Sequence, residues 1–195
     1  MLDGSQDPNV AASCGPPSFY AARYPNGGTQ LAEATAFLEA HRGSVAFVTL
    51  NLGANDVTGP SGIVPIFSNL PLILASLRAA AGPGVPIVGM NDYDPFVPQA
   101  WSDGGLPAVQ AEVAGVVAFN DVLESAYAAA GDPIADVESA FSVTDLMLVD
   151  GTPLSVLREC QWTWICTPPP LGPDIHANST GYGVIAQAFA DQLTP

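Results

Sequence analysis

The chain has two histidines, and only one stands where an acid–base group would be useful. His176 lies in the segment Gly172-Pro173-Asp174-Ile175-His176-Ala177-Asn178, read as a loop ahead of the last helical pattern. A nearby carboxylate such as Asp174 can hold an imidazole in one tautomer and stabilise its protonated form, as a general base requires. The same residues have a structural reading, in which Asp174 or Asn178 caps the following helix and the histidine is simply exposed. His41 falls in the last turn of a helix, where the dipole favours a cation, and needs no catalytic role.

Asn55 and Asp56 follow an apolar run and form its polar tip. An Asn amide there can donate to a developing oxyanion, or it can shape the strand-to-loop turn. Asp56, Asp92 and Asp94 sit at neighbouring strand ends, an arrangement open to Mg²⁺ or Ca²⁺, although such residues commonly bond to loop backbone. No P-loop, G-x-G-x-x-G or zinc spacing is present, which counts against nucleotide and zinc chemistry, and there is no G-x-S-x-G elbow either. Cys160 and Cys166 bracket QWTWI and can close a local disulfide, which suits an oxidising compartment. With no nearby His or third Cys, they make a poor metal site. Cys14 is left odd.

The elements that must position these residues begin with Val45–Asp56, VAFVTLNLGAND. Val45–Leu52 reads as a parallel strand buried on both faces, and ligands of open α/β sheets bind outside the carboxyl ends of such strands. Helices are expected over Thr29–His41, Ile66–Ala81, Ala108–Ala130 and Asn178–Leu193, from apolar residues at helical spacing. Further strands are expected over Val85–Met90 and Ile134–Val137. Residues 1–28, 96–107 and 140–172 read as loop or irregular. Strands alternating with helices make the class α/β with a parallel sheet.

A chain of 195 residues with 48% apolar content fits a single packed domain. Its 19 acidic residues against four arginines and no lysine give a net charge of −15, which argues against nucleic acid or an anionic membrane as partner. No apolar stretch is read as a transmembrane segment. The opening MLDGSQDPN carries neither the basic nor the apolar region of a signal peptide.

Gly53-Ala54-Asn55-Asp56 after a strand, and Asp174-Ile175-His176-Ala177-Asn178 before a Gly-Tyr helix, resemble the third and last blocks of the SGNH (GDSL) hydrolase superfamily. VTLNLGAND, GVPIVGMNDYDPF and DIHANSTGYGVIAQAF are similar to secreted actinobacterial-type esterases and lipases of that superfamily, from about Cys14 to the end of the chain. The resemblance implies a three-layer α/β/α flavodoxin-like fold and a secreted serine esterase or lipase that acts on small ester or lipid substrates without metal or cofactor. It implies Asn55 as oxyanion donor, Gly53 as the residue shaping that turn and Asp56 as a brace of the loop. His176 would be the general base and Asp174 its orienting carboxylate.

Two departures stand out. The family usually places Asp three residues before His, where this chain has Pro173. The G-D-S block with the nucleophilic serine, and the following block with an oxyanion-hole glycine, are not found. Ser5 in Asp3-Gly4-Ser5-Gln6 echoes the first of these without a strand to position it, and Ser13 and Ser18 have less to recommend them. The expectation is therefore a chain lacking its N-terminal block, with weak or no ester turnover of its own. The alternative is a non-catalytic assembly module that forms a homodimer through the exposed Val45–Leu52 strand edge.

Overall fold

A computed structural model describes residues 29–57 and 62–193; Ser5, Ser13, Cys14 and Ser18 lie outside the described residues. The fold is mixed α/β, with parallel and antiparallel strand pairs and flanking helices. The described chain divides into two compact units, residues 29–57, 62–89 and 125–133 forming the first and residues 90–124 and 134–193 the second.

In the first unit, helix α1 (Gln30–Ala40) starts where Thr29 accepts a hydrogen bond from the Ala32 amide at 3.0 Å. It is followed by Gly43, whose φ of +86° suits the turn out of the helix. Strand β1 is Val48–Leu50, and the short helix α2 is Ala54–Val57. Helix α3 (Val64–Ala81) has proline in its first turn and buries Ile66, Leu70, Ile73, Leu74 and Leu77, one stripe at helical spacing. Strand β2 (Ile87–Met90) pairs in parallel with β1, Val48 opposite Ile87 and Leu50 opposite Gly89. The Tyr127 ring lies where a Gly89 side chain would stand, so this strand position admits only glycine. The Arg78 guanidinium pairs with Asp132 and also donates to the Val85 carbonyl at 2.6 Å.

Helix α4 (Val97–Ala130) begins in the second unit and breaks at Gly105, whose φ of 62° and ψ of −153° are not helical, two residues before Pro107. Strand β3 (Ile134–Ala135) follows, and the strand order is β1-β2-β3. The Gly89 amide donates to the Pro133 carbonyl and the Asn91 amide to Ala135, bonds that advance together along both strands in the parallel sense. Beyond them come helix α5 (Val137–Ala140), capped by Asp136, and the antiparallel pair β4 (Leu148–Val149) and β5 (Thr152–Pro153). Helix α6 (Leu154–Trp162) leads into β6 (Thr163–Trp164), which pairs antiparallel with β7 (Asp174–Ala177). Helix α7 (Ser179–Asp191) ends the described fold. Val97, Val109, Val113 and Val156 form a buried cluster in this unit.

The four helices and the Val85–Met90 strand expected from periodicity are present. Other expectations need correction. Val45–Leu52 shortens to three residues and is not buried on both faces, for Thr49 is exposed and Phe47 is 48% exposed. The strand buried throughout is β2. An apolar run is also what a half-covered end strand presents, and composition does not separate the two cases. Residues 96–107 are helical from Val97, and residues 140–172 hold α6 and three short strands rather than irregular chain. His176 lies on a strand, not in a loop. Two helices, Val64–Ala81 and Val97–Ala130, are long and apolar enough to cross a membrane by length and composition alone. The first turns a core stripe inward and the second is broken at Gly105, features shared with core helices of globular domains.

Candidate active site

His176 owes its setting to a short irregular ladder. Thr163 pairs with Ala177 and Trp164 with Asp174, so two residues of β6 face four of β7 and Ile175 and His176 bulge between the pairs. Asn178 then caps α7, its side-chain oxygen accepting from Thr180 at 2.9 Å and Gly181 at 3.1 Å, while its amide donates to Gln161 and Thr163. The capping reading is thus correct for Asn178. Asp174 does something else. Its Oδ1 lies 2.6 Å from His176 Nδ1 and accepts from the His176 amide at 2.8 Å. Those bonds, the amide first, hold the Asp174 carboxyl below its ordinary range. A spacing of two residues therefore suffices for the pair, because one carboxylate oxygen reaches both the amide and the ring of His176. Both side chains are well exposed, the imidazole at 69%.

In the first unit, Gly53 is buried with φ of +118°, and its carbonyl accepts from the amides of Asp56 and Val57 at 2.9 and 3.0 Å. That backbone shape favours glycine and turns the chain directly after β1. Asn55 is exposed on α2, whereas Asp56 is buried at 5% exposure. Asn55 and Asp56 thus belong to the first unit, and Asp174 and His176 to the second.

Around the bulged strand lies a polar network that the sequence did not announce. The Tyr93 hydroxyl accepts from the Ala177 amide and donates to the Ile175 carbonyl, each at 3.1 Å. The Tyr93 ring stacks on Phe141 with centroids 4.7 Å apart, and Phe141 meets Trp162 edge-on at 5.2 Å. Glu159, fully buried on α6, accepts from the Asp94 amide at 3.0 Å. Burial pushes its carboxyl up to about 8, with the Asp94 charge adding and the amide bond opposing. Burial likewise pushes Asp92 and Asp94 up to about 7. Asn120 exchanges two hydrogen bonds with the Asp92 backbone at 2.9 Å, and Asn91 binds Glu124, Asp136 and the Glu138 amide.

Among the described residues no group of three or more His, Cys, Asp or Glu has the geometry to hold a metal ion. The divalent-ion reading of Asp56, Asp92 and Asp94 is therefore set aside; the last two are buried acids that burial drives toward the neutral form. Cys160 and Cys166 are disulfide-bonded, with Cα atoms 5.0 Å apart, at the junction of α6 and β6. No serine hydroxyl among the described residues is hydrogen-bonded to His176.

The GDSL-like Lipase/Acylhydrolase family model matches residues 17–184, a span that includes Gly53, Asn55, Asp174 and His176. The chain belongs to that family. Family membership gives the Asp174–His176 pair a chemical context that its geometry alone does not. No curated protein and no solved structure gives a significant match. Tyr93 and Glu159 are what sequence reasoning missed. The signal for Glu159 was its spacing with Ser155 and Val156 on one face of a helix hidden in an apparently irregular stretch.

Proposed function

We propose that this chain is a single secreted carboxylic ester hydrolase domain of the serine type, in a flavodoxin-like α/β/α arrangement, acting on small esters or lipids. The observation that carries the reading is the Asp174–His176 pair at 2.6 Å within the span matched by the family model. With Nδ1 bonded to Asp174, Nε2 is left as the basic atom. It takes the proton of a serine hydroxyl as that oxygen adds to the ester carbonyl, then delivers it to the departing alcohol. Water repeats the sequence on the acyl-enzyme and returns free acid and serine. Asn55 is assigned the oxyanion donor, Gly53 the turn that presents it and Asp56 the brace, each by family resemblance. The serine is assigned to a position outside the described residues, and the turnover expected of this chain is low.

Hydrolysis of p-nitrophenyl acetate by the full chain tests this. A rate above buffer that His176→Ala removes and Asp174→Asn lowers supports the reading; an unchanged rate in His176→Ala contradicts it.

One observation favours a second reading, an assembly module. β1 ends the sheet order, and beside it an apolar cavity of about 470 Å³ is lined by residues including Leu31, Phe37, Val45, Phe47 and Leu52. Among the described residues no strand pairs with the outer edge of β1, and such an edge next to apolar surface invites a second copy to pair along it. Light scattering after size exclusion separates the readings: no ester turnover together with a dimer that Thr49→Pro dissociates would favour assembly.

A further inference from the structure

The bulge between β6 and β7 places the imidazole where regular strand pairing cannot fix it. Only the pairs at Ala177 and Asp174 register with β6, and the residues between them carry the base. A bulged residue is left out of the ladder, and its peptide groups need other partners. The partner for both flanking peptides is one atom, the Tyr93 hydroxyl. It accepts from the amide following His176 and donates to the carbonyl preceding it.

From this geometry we propose that Tyr93 is a positioning residue for His176, a clamp on the two peptides that set where the imidazole stands. The inference rests on the proposed role of His176 as base.

The clamp is itself held firmly. Tyr93 follows the buried residues Asn91 and Asp92, and the Asp92 backbone is fixed in both directions by Asn120. Asp94, the next residue, is tied through its amide to Glu159 on α6. The ring is stacked on Phe141, itself fully buried. Burial first, then the nearby Glu159 charge, raises the phenol above its ordinary range, so the hydroxyl keeps the proton it donates to Ile175. The imidazole has less support. His176 is largely exposed, and among the described residues its ring is held by Asp174 alone, at the β6-paired end of the bulge. A displaced bulge would carry the imidazole away from Asp174, and the Tyr93 hydroxyl, bonded to the peptides on both sides of His176, opposes that. Small misplacements of a catalytic group cost rate far more than binding.

Tyr93→Phe in the full chain tests the clamp, since it deletes one oxygen and keeps the stacking. The expected result is a fall in kcat for p-nitrophenyl acetate of about tenfold with KM unchanged. Exchange of the Ala177 amide should speed about tenfold, with the circular dichroism spectrum unchanged. An unchanged Ala177 exchange rate overturns the clamp. Faster exchange with unchanged kcat overturns its positioning role. If the parent chain shows no His176-dependent turnover, that failure belongs to the hydrolase reading, and the nitrogen spectrum of the His176 ring decides instead. A changed ratio of ring tautomers in Tyr93→Phe then supports positioning, and an unchanged ratio overturns it.

Discussion

Replacing Glu159 with Gln removes an ionisation while keeping an oxygen that can accept from the Asp94 amide. The Glu159 carboxyl is fully buried and is raised from 4.5 to about 8 in the folded chain. A raised folded pKa means that the native state keeps a proton which the unfolded state releases. The contribution is whole below pH 4.5 and is lost as pH climbs through about 8, so native stability falls across that window. Each pH unit well inside the window costs about 1 kcal/mol or a little more, and linkage for the single group between pH 5 and pH 8 amounts to about 3–4 kcal/mol. Asp92 and Asp94, raised to about 7, add to the wild-type slope and remain in the variant. Glu159→Gln should therefore lose stability less steeply with pH, and its advantage over wild type should grow by about 3–4 kcal/mol from pH 5 to pH 8. Glu159 Oε2 has no hydrogen-bond partner among the described residues. The new amide nitrogen there adds a pH-independent offset of about 1–2 kcal/mol, which is why slopes rather than single values are compared. Urea unfolding at half-unit pH intervals, with the m-value held common, gives both slopes. Parallel curves for the two proteins would refute the reasoning.

Three other expectations follow from the packing. Gly89→Ala forces a methyl into the Tyr127 ring and should cost about 3 kcal/mol, read as a drop in Tm of about 6–10 °C; an unchanged Tm would contradict the contact. Asn178→Ala removes a helix cap and two side-chain bonds to the α6–β6 junction, and should cost about 2 kcal/mol in urea unfolding. Replacing Cys160 and Cys166 with serine opens a loop of six-residue separation, with an expected cost of about 2 kcal/mol by denaturant titration.

The sequence made the helices legible because each has an apolar stripe with a stop: Thr29 and Gly43 around α1, Asn178 ahead of α7. It also made the pairing of Cys160 with Cys166 legible, since six residues leave few other solutions. It misjudged β1, because whether an apolar run is central or terminal depends on what packs beside it. It hid α6, because Leu154–Trp162 buries Ser155 and Glu159 alongside Val156, so polar residues stand where an apolar stripe would be looked for. His176 and Asp174 were visible as residue types, but their contact was not. It requires the β6–β7 bulge, and that bulge depends on partners as distant in sequence as Tyr93.

The most direct test of the central claim is the protonation pattern of the His176 ring itself. In the nitrogen spectrum of histidine-labelled chain, the signals absent from His176→Ala belong to this ring. The neutral form of the ring should carry its proton on Nδ1, toward Asp174, and leave Nε2 bare, with Asp174→Asn converting it to a mixture of tautomers. A ring protonated mainly on Nε2, or one indifferent to Asp174→Asn, would contradict His176 as an oriented general base.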